Sequence, residues 1–124
     1  MKKYEETAEI TKKYEELGFD ACQMIQIRCG FEGILTTDQV KLYAKSEFSG
    51  DQMDQIRCGF ENRLTTDQIE LYAKSDFDWK QMNEIKLGFV HGLSKDRVIM
   101  YAIPELDENQ MYYMRIGIEV KYIM

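Results

Sequence analysis

The feature that most constrains this chain is a nine-residue stretch that recurs every 29 residues. It reads Met-Ile-Gln-Ile-Arg-Cys-Gly-Phe-Glu from Met24, and it returns in varied form at Met53, Met82 and Met111. The first two copies of the 29-residue unit are identical at 20 positions. Self-similarity at this period indicates stacked supersecondary units, each of which buries an apolar face that it cannot bury alone. We therefore expect residues 1–124 to form a single domain built from repeats.

Each unit contains two patterns that indicate helices. The longer pattern has apolar residues three, four and four positions apart, which places them on one face of a helix. In the first unit these residues are Met24, Ile27, Phe31 and Leu35. The shorter pattern, later in the unit, is carried by Val40, Tyr43 and Ala44. Each unit is thus predicted to be an αα-hairpin.

The repeat boundaries predict the architecture. Full repeats cover residues 24–52, 53–81 and 82–110. Residues 1–18 are expected to form an N-terminal capping half-repeat, and residues 111–124 a C-terminal half-repeat with only the longer helix. The apolar face of the first helix, over 2–17, is expected to contain Tyr4, Ala8, Thr11, Tyr14 and Leu17. The predicted fold class is all-α, a small right-handed α-solenoid of αα-hairpin repeats with about eight short helices.

Polar residues mark the positions where these helices begin. An aspartate or serine stands three residues before a glutamine at the start of every longer helix: Asp20, Ser49, Asp78 and Asp107. Such a pair predicts a capping box, in which the first side chain accepts a hydrogen bond from a backbone N–H and the glutamine bonds back. Thr36 and Thr65 open shorter helices in the same way, whereas Ser94 stands three residues before Arg97 and predicts a weaker cap.

Glycine, asparagine and proline mark the helix ends. Gly18 predicts the end of the first helix. A left-handed turn is predicted after each longer helix, at Gly33, Asn62 and Gly92. Pro104 predicts the end of the third shorter helix, because the residue before a proline disfavours the helical conformation.

The last segment, Asp107 to Met124, allows two predictions. The stripe of Met111, Met114, Ile118 and Tyr122 continues the helical register of the repeats. The alternation of Ile116, Ile118, Val120 and Tyr122 is instead typical of a strand. The capping box and the 29-residue register both favour the helix.

The repeat motif resembles a known type of sequence. Gln-Met-x-x-Ile-Arg-x-Gly-Phe-Glu, with a Leu and then Tyr-Ala after it, occurs at Gln23–Glu32 with Leu35, Tyr43 and Ala44, and at Gln52–Glu61 with Leu64, Tyr72 and Ala73. It resembles a short αα-hairpin repeat of uncharacterised proteins from clostridia-like gut bacteria and their mobile elements. The third repeat departs from the motif at Lys86, Val90 and Arg97. The resemblance covers about residues 19–119; it implies a helical repeat fold and implies no activity.

Composition narrows the classes of function. A net charge of −6 disfavours direct nucleic-acid binding, which needs a basic surface. The uncharged runs are too short for a membrane span, and the N-terminus lacks the apolar core of a signal peptide. Three cysteines without a Cys-x-x-Cys pair favour a reducing, cytoplasmic location. No catalytic set, cofactor motif or metal-ligand spacing is visible, and His91 is the only histidine. We therefore expect no enzyme, no cofactor and no metal.

Two columns of equivalent residues within the longer helices predict packing positions. Glycine recurs inside each helix at Gly30, Gly59, Gly88 and Gly117. A glycine in a helix destabilises it, so its recurrence predicts close approach of a neighbouring helix backbone, with a ligand as the minor alternative. Cys29 and Cys58 align with Leu87 and Ile116, which predicts an apolar core position.

A basic column runs along the same helices, at Arg28, Arg57, Lys86 and Arg115. Such residues could bind phosphates or the carboxylates of a partner. They could equally pair with nearby acidic residues of the chain itself, which is the interpretation that we favour for this column.

Acidic residues cluster at the turns that lead into each longer helix: Glu47, Asp51, Asp54, Asp76, Asp78, Glu84, Glu105, Asp107 and Glu108. They could stabilise helix N-termini, or they could form a negative strip for a basic partner. Trp79 lies in a column that varies between repeats, and tryptophan is frequent in binding hot spots. The segment from Tyr112 and Tyr113 to Met124 is too apolar for a solvated end and predicts a dimer or a partner there.

These features predict a non-enzymatic protein–protein interaction module. Its partner is expected to be a protein with a basic surface, and direct contact with nucleic acid or membrane is not expected. An acidic inhibitor of a nucleic-acid-handling bacterial protein, of anti-CRISPR or other anti-defence type, fits this description. The alternative is a structural module that self-assembles as a homodimer through residues 111–124, and an enzyme is the third and weakest hypothesis.

Overall fold

A computed structural model describes residues 2–122, with side chains described from residue 8 onward. Within this range the chain forms eight α-helices and no strand. Their bounds are α1 Lys2–Glu16, α2 Ala21–Glu32, α3 Thr37–Tyr43, α4 Gly50–Glu61, α5 Thr66–Tyr72, α6 Trp79–Val90, α7 Lys95–Ile99 and α8 Glu108–Tyr122. The all-α class and the eight helices are thus confirmed, whereas the right-handed solenoid stays a prediction.

The chain divides into two compact units, Met1–Glu61 and Asn62–Met124. The boundary falls between the two helices of the second repeat, 53–81. The first unit contains α1 to α4, and α2 packs against each of the other three. The second contains α5 to α8, and α6 packs against each of the other three. The single domain over 1–124 stays a prediction.

The predicted apolar stripes form the cores of the two units. In the first unit Met24, Ile27, Phe31, Leu35, Val40 and Tyr43 are all buried. The equivalent residues of the third repeat, Met82, Ile85, Phe89, Leu93, Val98 and Tyr101, are buried as well. Phe48 and Phe77, in the loops before α4 and α6, are also buried. The helical periodicity does not find these two phenylalanines, because they lie outside the helices.

The predicted capping boxes with a glutamine are all present. Asp20 and Asp78 cap α2 and α6, and Thr36 and Thr65 cap α3 and α5. Ser49 and Asp107 exchange the same pair of hydrogen bonds with Gln52 and Gln110. At α7 only half of the box forms: Ser94 accepts from the backbone of Arg97, as expected for a cap without glutamine. Local sequence therefore determines where each helix begins.

The helix ends agree with the prediction only in part. Gly92 has the expected positive φ of 98°, but Gly33 has φ −93°, and in the second repeat Arg63, not Asn62, has a positive φ, of 65°. Gly92 aligns with Arg63 rather than with Asn62, so the predicted turn positions combine two different columns of the repeat. Gly18 has φ 91° and lies just beyond the end of α1 as predicted. Pro104 does not end α7, which stops at Ile99.

The structure also tests the predictions for the two terminal helices, α1 and α8. Leu17 is expected on the apolar face of α1, but it lies beyond the helix and is exposed, whereas Thr11 is buried and Tyr14 is half-buried. The side chain of Tyr4 lies outside the described range. At the other end, α8 is helical through Tyr122, so the strand alternative is wrong for residues 115–122, and residues 123–124 lie outside the described range. No helix in the described residues is long and apolar enough to cross a membrane.

Candidate protein-binding surface

Each of the hairpins α2–α3 and α6–α7 places a tyrosine over a glycine. The hydroxyl of Tyr43 donates a hydrogen bond to the carbonyl of Gln26, at 2.6 Å. A Cβ built on Gly30, one turn further along α2, would lie within 2.1 Å of that hydroxyl. Tyr101 repeats the contact, because a Cβ on Gly88 would lie within 2.0 Å of its hydroxyl. These glycines therefore admit the side chain of a tyrosine from α3 or from the turn after α7, whereas the sequence predicts a backbone approach.

Gly117 occupies the equivalent position of α8, and it is uncovered. A Cβ built there would meet no described atom within 4 Å beyond the nearby backbone of its own helix. Residues near Gly117 on α8 are more exposed than their counterparts in the third repeat. Met114 is 37% exposed, whereas its counterpart Ile85 is fully buried. Tyr122 is 45% exposed, whereas its counterpart Leu93 is 4% exposed. The face that α7 covers on α6 is thus open on α8.

This open face forms a shallow apolar groove of about 290 Å³. We call it the α8 groove, and its lining residues are Met100, Tyr113, Met114, Gly117, Ile118, Lys121 and Tyr122. Tyr113 is 73% exposed, and its ring packs edge-on against Tyr112 at 5.4 Å. The guanidinium of Arg97 stacks 3.8 Å from the ring of Tyr122 and holds one wall of the groove.

Exposed apolar side chains are concentrated in the part of the chain that carries this groove. Of the 13 large apolar residues exposed in the described chain, eight lie between Ile99 and Tyr122. They are Ile99, Met100, Ile103, Tyr112, Tyr113, Met114, Val120 and Tyr122. Four of them, Met100, Tyr113, Met114 and Tyr122, line the groove, and exposed apolar side chains grouped in this way are typical of interaction sites. The two tyrosines predicted as contacts, Tyr112 and Tyr113, belong to it.

On the same helix, α8, Arg115 is buried in an ion-pair network. Its Nε donates to Glu84 of α6 at 2.9 Å, and its Nη1 donates to both carboxylate oxygens of Glu119, at 2.9 and 3.1 Å. His91 Nδ1 lies 2.8 Å from Glu119 and 3.3 Å from Arg115. Burial lowers the pKa of Arg115, but the bonds to Glu84 and Glu119 outweigh this, so its pKa is raised. The network fixes α8 against α6.

The other members of the basic column also have partners within the chain. Arg57 donates to Gln26 at 2.9 Å, to Asp54 at 2.8 Å and to both oxygens of Glu61. Burial lowers the pKa of Arg57, and pairing with Glu61 raises it by more. Arg28 forms an exposed pair with Glu32 at 3.6 Å.

Lys86, the remaining member of the column, is half-buried. Arg57 and Arg115 are thus held by hydrogen bonds within the chain, which leaves Arg28 as the most exposed cation of the column. This arrangement favours the structural interpretation of the column over a role in gripping phosphates.

Several of the predicted acidic site residues stabilise the fold. Asp78 and Asp107 are helix caps. Asp54 pairs with Arg57, and Glu84 with Arg115. The remaining acidic residues that lie exposed at the turns are Glu47, Asp51, Asp76 and Glu105.

Trp79 is the first residue of α6 and is 42% exposed. Lys80 Nζ lies 5.7 Å from its ring centroid and 3.8 Å from the carboxylate of Glu108. The indole therefore stands at the start of α6 beside a pair of opposite charges. It is not among the residues that line the α8 groove.

The cysteines differ from the prediction. Cys29 is exposed and Cys58 is only half-buried, so the column that they share with Leu87 and Ile116 lies at the edge of the core, not within it. Cys58 Sγ contacts Asp54 at 3.6 Å. In the described part of the chain no three His, Cys, Asp or Glu residues are grouped so that they could hold a metal ion.

Sequence reasoning missed two uses of the repeat's polar residues. The side-chain amide of Gln23 closes the α2 capping box and also donates to the carbonyl of Phe48, at 2.7 Å. Gln81 does the same with the carbonyls of Pro104 and Leu106. The second miss is the tyrosine over the glycine. Its signal is present in the sequence, because the two residues recur 13 positions apart in every full repeat.

No family model matches the chain, and neither a curated protein nor a solved structure is significantly similar to it. The function is therefore argued from the surface itself.

Proposed function

We propose that this chain is a non-enzymatic protein-interaction module that binds its partner through α8 and the α8 groove. The observation that supports this most is the internal comparison: a face that is covered in the third repeat is open on α8, with Met114 and Tyr122 exposed. Exposed tyrosine and methionine side chains are the residue types that dominate binding hot spots and adaptable interfaces. Burying them in a partner would complete the packing that the repeat provides elsewhere.

The test compares capture of partners from a lysate of the source cells by the parent chain and by Tyr113→Ser. The matched control is Ile34→Ser, which removes an equally exposed apolar side chain from the first unit. We expect Tyr113→Ser to lose partners that both the parent and Ile34→Ser retain. Equal capture by all three proteins would contradict the proposal that the partner binds through α8.

A homodimer through residues 111–124 is a second candidate. It is favoured by the position of Tyr113, which is 73% exposed one turn before Gly117. In a two-fold pair of α8 helices, each Tyr113 could cover the Gly117 of the other copy. Light scattering over a range of concentrations tests this candidate, and a monomer at the highest concentration would contradict it.

The nature of the partner is a finer proposal. We propose a protein with a basic, nucleic-acid-binding surface, so that the chain acts as an acidic inhibitor of anti-CRISPR or other anti-defence type. The exposed carboxylates of Glu47, Asp51, Asp76 and Glu105 and the net charge of −6 support it. A variant with these four residues neutralised should capture less of the partner, and so should the separate variant Trp79→Ala. In the neutralised variant, capture should also depend less on salt concentration. Capture unchanged in both would contradict a role for these carboxylates and for Trp79 in binding.

The proposal includes a cytoplasmic location. It is supported by three free cysteines, of which Cys22 and Cys29 are exposed.

A further inference from the structure

We infer that the α8 groove binds a short amphipathic helix of a partner protein, in which a tyrosine stands three positions after a β-branched residue. This inference rests on the proposed function and specifies the partner's binding element. Its basis is the repeat itself, which shows twice how this face of a longer helix is covered. In both α2–α3 and α6–α7 the cover carries a valine and a tyrosine three positions apart. Val40 and Tyr43 both lie in α3, whereas Val98 lies in α7 and Tyr101 follows two residues beyond its end.

The atoms that would receive the tyrosine are present on α8. In the hairpins, the hydroxyl bonds the carbonyl four residues before the glycine: Gln26 before Gly30, and Glu84 before Gly88. On α8 the carbonyl in this position belongs to Tyr113, and the glycine is Gly117. No described side chain lies within 4 Å of a Cβ built on Gly117, so the place that the tyrosine hydroxyl takes in the hairpins is unfilled on α8.

The apolar part of the docked helix would meet an equally specific surface. In the hairpins, Val40 and Val98 approach the same glycines as the tyrosines do. On α8 the corresponding surface is formed by Met114, Gly117 and Ile118, which line the groove. A β-branched side chain three residues before the tyrosine fits here, because positions three apart share one helix face.

The charge of Lys121 supports a docked helix that runs in the same direction as the shorter helix of a hairpin. Of the residues that line the groove in the described chain, Lys121 alone is charged, and it lies in the last turn of α8. In the hairpins, the first turn of the shorter helix comes soon after the end of the longer one and carries an aspartate, Asp38 or Asp96. A docked helix in the same orientation would bring such an aspartate to Lys121. The partner helix is therefore expected to carry an acidic residue in its first turn.

The probe for this inference is a fluorescent synthetic peptide with the sequence of residues 36–48, which contains the cap, Val40, Tyr43 and the aspartate. Binding to the full chain is measured by fluorescence anisotropy. Gly117→Ala places a Cβ where the hydroxyl must lie, so we expect it to weaken peptide binding by about tenfold or more. The matched control Val120→Ala removes an exposed side chain that does not line the groove, and it should leave binding unchanged.

Two further variants test the orientation and the hydroxyl. Lys121→Glu should weaken binding about threefold, and a peptide with Asp38→Lys should regain that loss on the variant chain. A peptide with Tyr43→Phe keeps the ring and loses the hydrogen bond, so its affinity should fall about fivefold. Circular dichroism checks that Gly117→Ala is folded. Because alanine favours the helix more than glycine does, the variant should keep the helical signal of the parent chain.

The outcomes separate the inference from the proposed function. Binding that is equal in Gly117→Ala and the parent chain would overturn the inference. Absence of peptide binding to the parent would overturn it too, while loss of cellular partners in Tyr113→Ser would still support the proposed function. A concentration-dependent dimer that Gly117→Ala disrupts, with no peptide binding, would assign the groove to a second copy and overturn the inference as stated.

Discussion

In the α6–α7 hairpin a buried tyrosine lies over Gly88, whereas on α8 the equivalent Gly117 is open to solvent. The two helices share the same register, the same capping box and a basic residue in the same column, Lys86 or Arg115. They differ in the next element along the chain: α6 leads into a covering helix, and no described element covers α8. At Gly30 and Gly88 the absence of a side chain leaves room for a tyrosine hydroxyl. Gly117 leaves the same room on α8, where no described residue fills it.

A second contrast concerns the arginine that joins neighbouring longer helices. In the first unit, Arg57 bonds the neutral amide of Gln26 across the α2–α4 interface. In the second unit, Arg115 bonds the carboxylate of Glu84 across α6–α8 and is more deeply buried. The second unit therefore depends more on its ion pairs.

The largest expected effect tests that dependence. Arg115→Ala leaves Glu84 and Glu119 together without a cation, so we expect a loss of about 3 kcal/mol in the free energy of unfolding. Arg57→Ala should cost only about 1 to 2 kcal/mol, because its partners are neutral or more exposed. Urea denaturation measures both. The double variant Arg115→Ala/Glu84→Gln, which introduces the first unit's amide, should recover part of the loss; no recovery would mean that packing dominates.

The glycine column gives the next effect and a matched control. Gly88→Ala forces the buried Tyr101 hydroxyl away, and we expect it to lower the free energy of unfolding by about 2 kcal/mol. The new Cβ of Gly117→Ala meets no such contact. This variant should therefore raise the free energy of unfolding by about 0.5–1 kcal/mol through helix propensity. Denaturant midpoints of the two variants check this. A similar destabilisation at both positions would contradict the contrast between the covered and open faces.

Alkaline pH should weaken the covered hairpins. Burial raises the pKa of Tyr43 and of Tyr101 above the ordinary value of 10.0. Above that pH the unfolded chain loses the phenolic proton that the folded chain keeps, so the unfolded state is favoured as pH rises. Between pH 10 and pH 11 each tyrosine should lower stability by about 1 kcal/mol. Denaturation at both pH values in the parent and in Tyr101→Phe checks this, and an equal slope in the two proteins would contradict it.

The smallest effect isolates the hydroxyl itself. Tyr101→Phe removes the bond to the Glu84 carbonyl but leaves the ring in place, and it should cost about 1 kcal/mol near neutral pH. Tyr43→Phe should cost a similar amount in the first unit. Tyr113→Phe is the control on the open surface and should change stability little. Thermal melts of the three variants, read side by side, provide the measurement.

The sequence predicts the local structure of this chain well, because local chemistry decides it. The capping boxes at Asp20 and Asp78 need only residues three positions apart, and the sequence alone predicts both. The buried stripe beginning at Met24 results from helical periodicity in the same way. Features that depend on the packing of separate helices are harder to predict. Cys29 shares its column with Leu87 and Ile116, yet it is exposed, and those two residues are themselves only half-buried.

The sequence predicts the candidate site only in outline. The apolar character of the last segment indicates Tyr112 and Tyr113 as contacts, and both are exposed on α8. The groove beside them cannot be predicted from sequence, because it depends on which side chain would have covered Gly117. Asp54 pairs with Arg57 and Glu84 pairs with Arg115, and the structure is needed to separate such residues from carboxylates that lie exposed.

Two of the glutamines that complete capping boxes also affect how the chain opens. The amide of Gln23 links the start of α2 to the backbone of Phe48, which lies 25 positions later. Gln81 links the start of α6 to the backbone at Leu106 in the same way. A local fluctuation that frays either helix start must also release the loop to which its glutamine is bonded, so these stretches should unfold together. Native-state hydrogen exchange should then show the amides at each helix start and those of its partner loop becoming exposed with a common free energy.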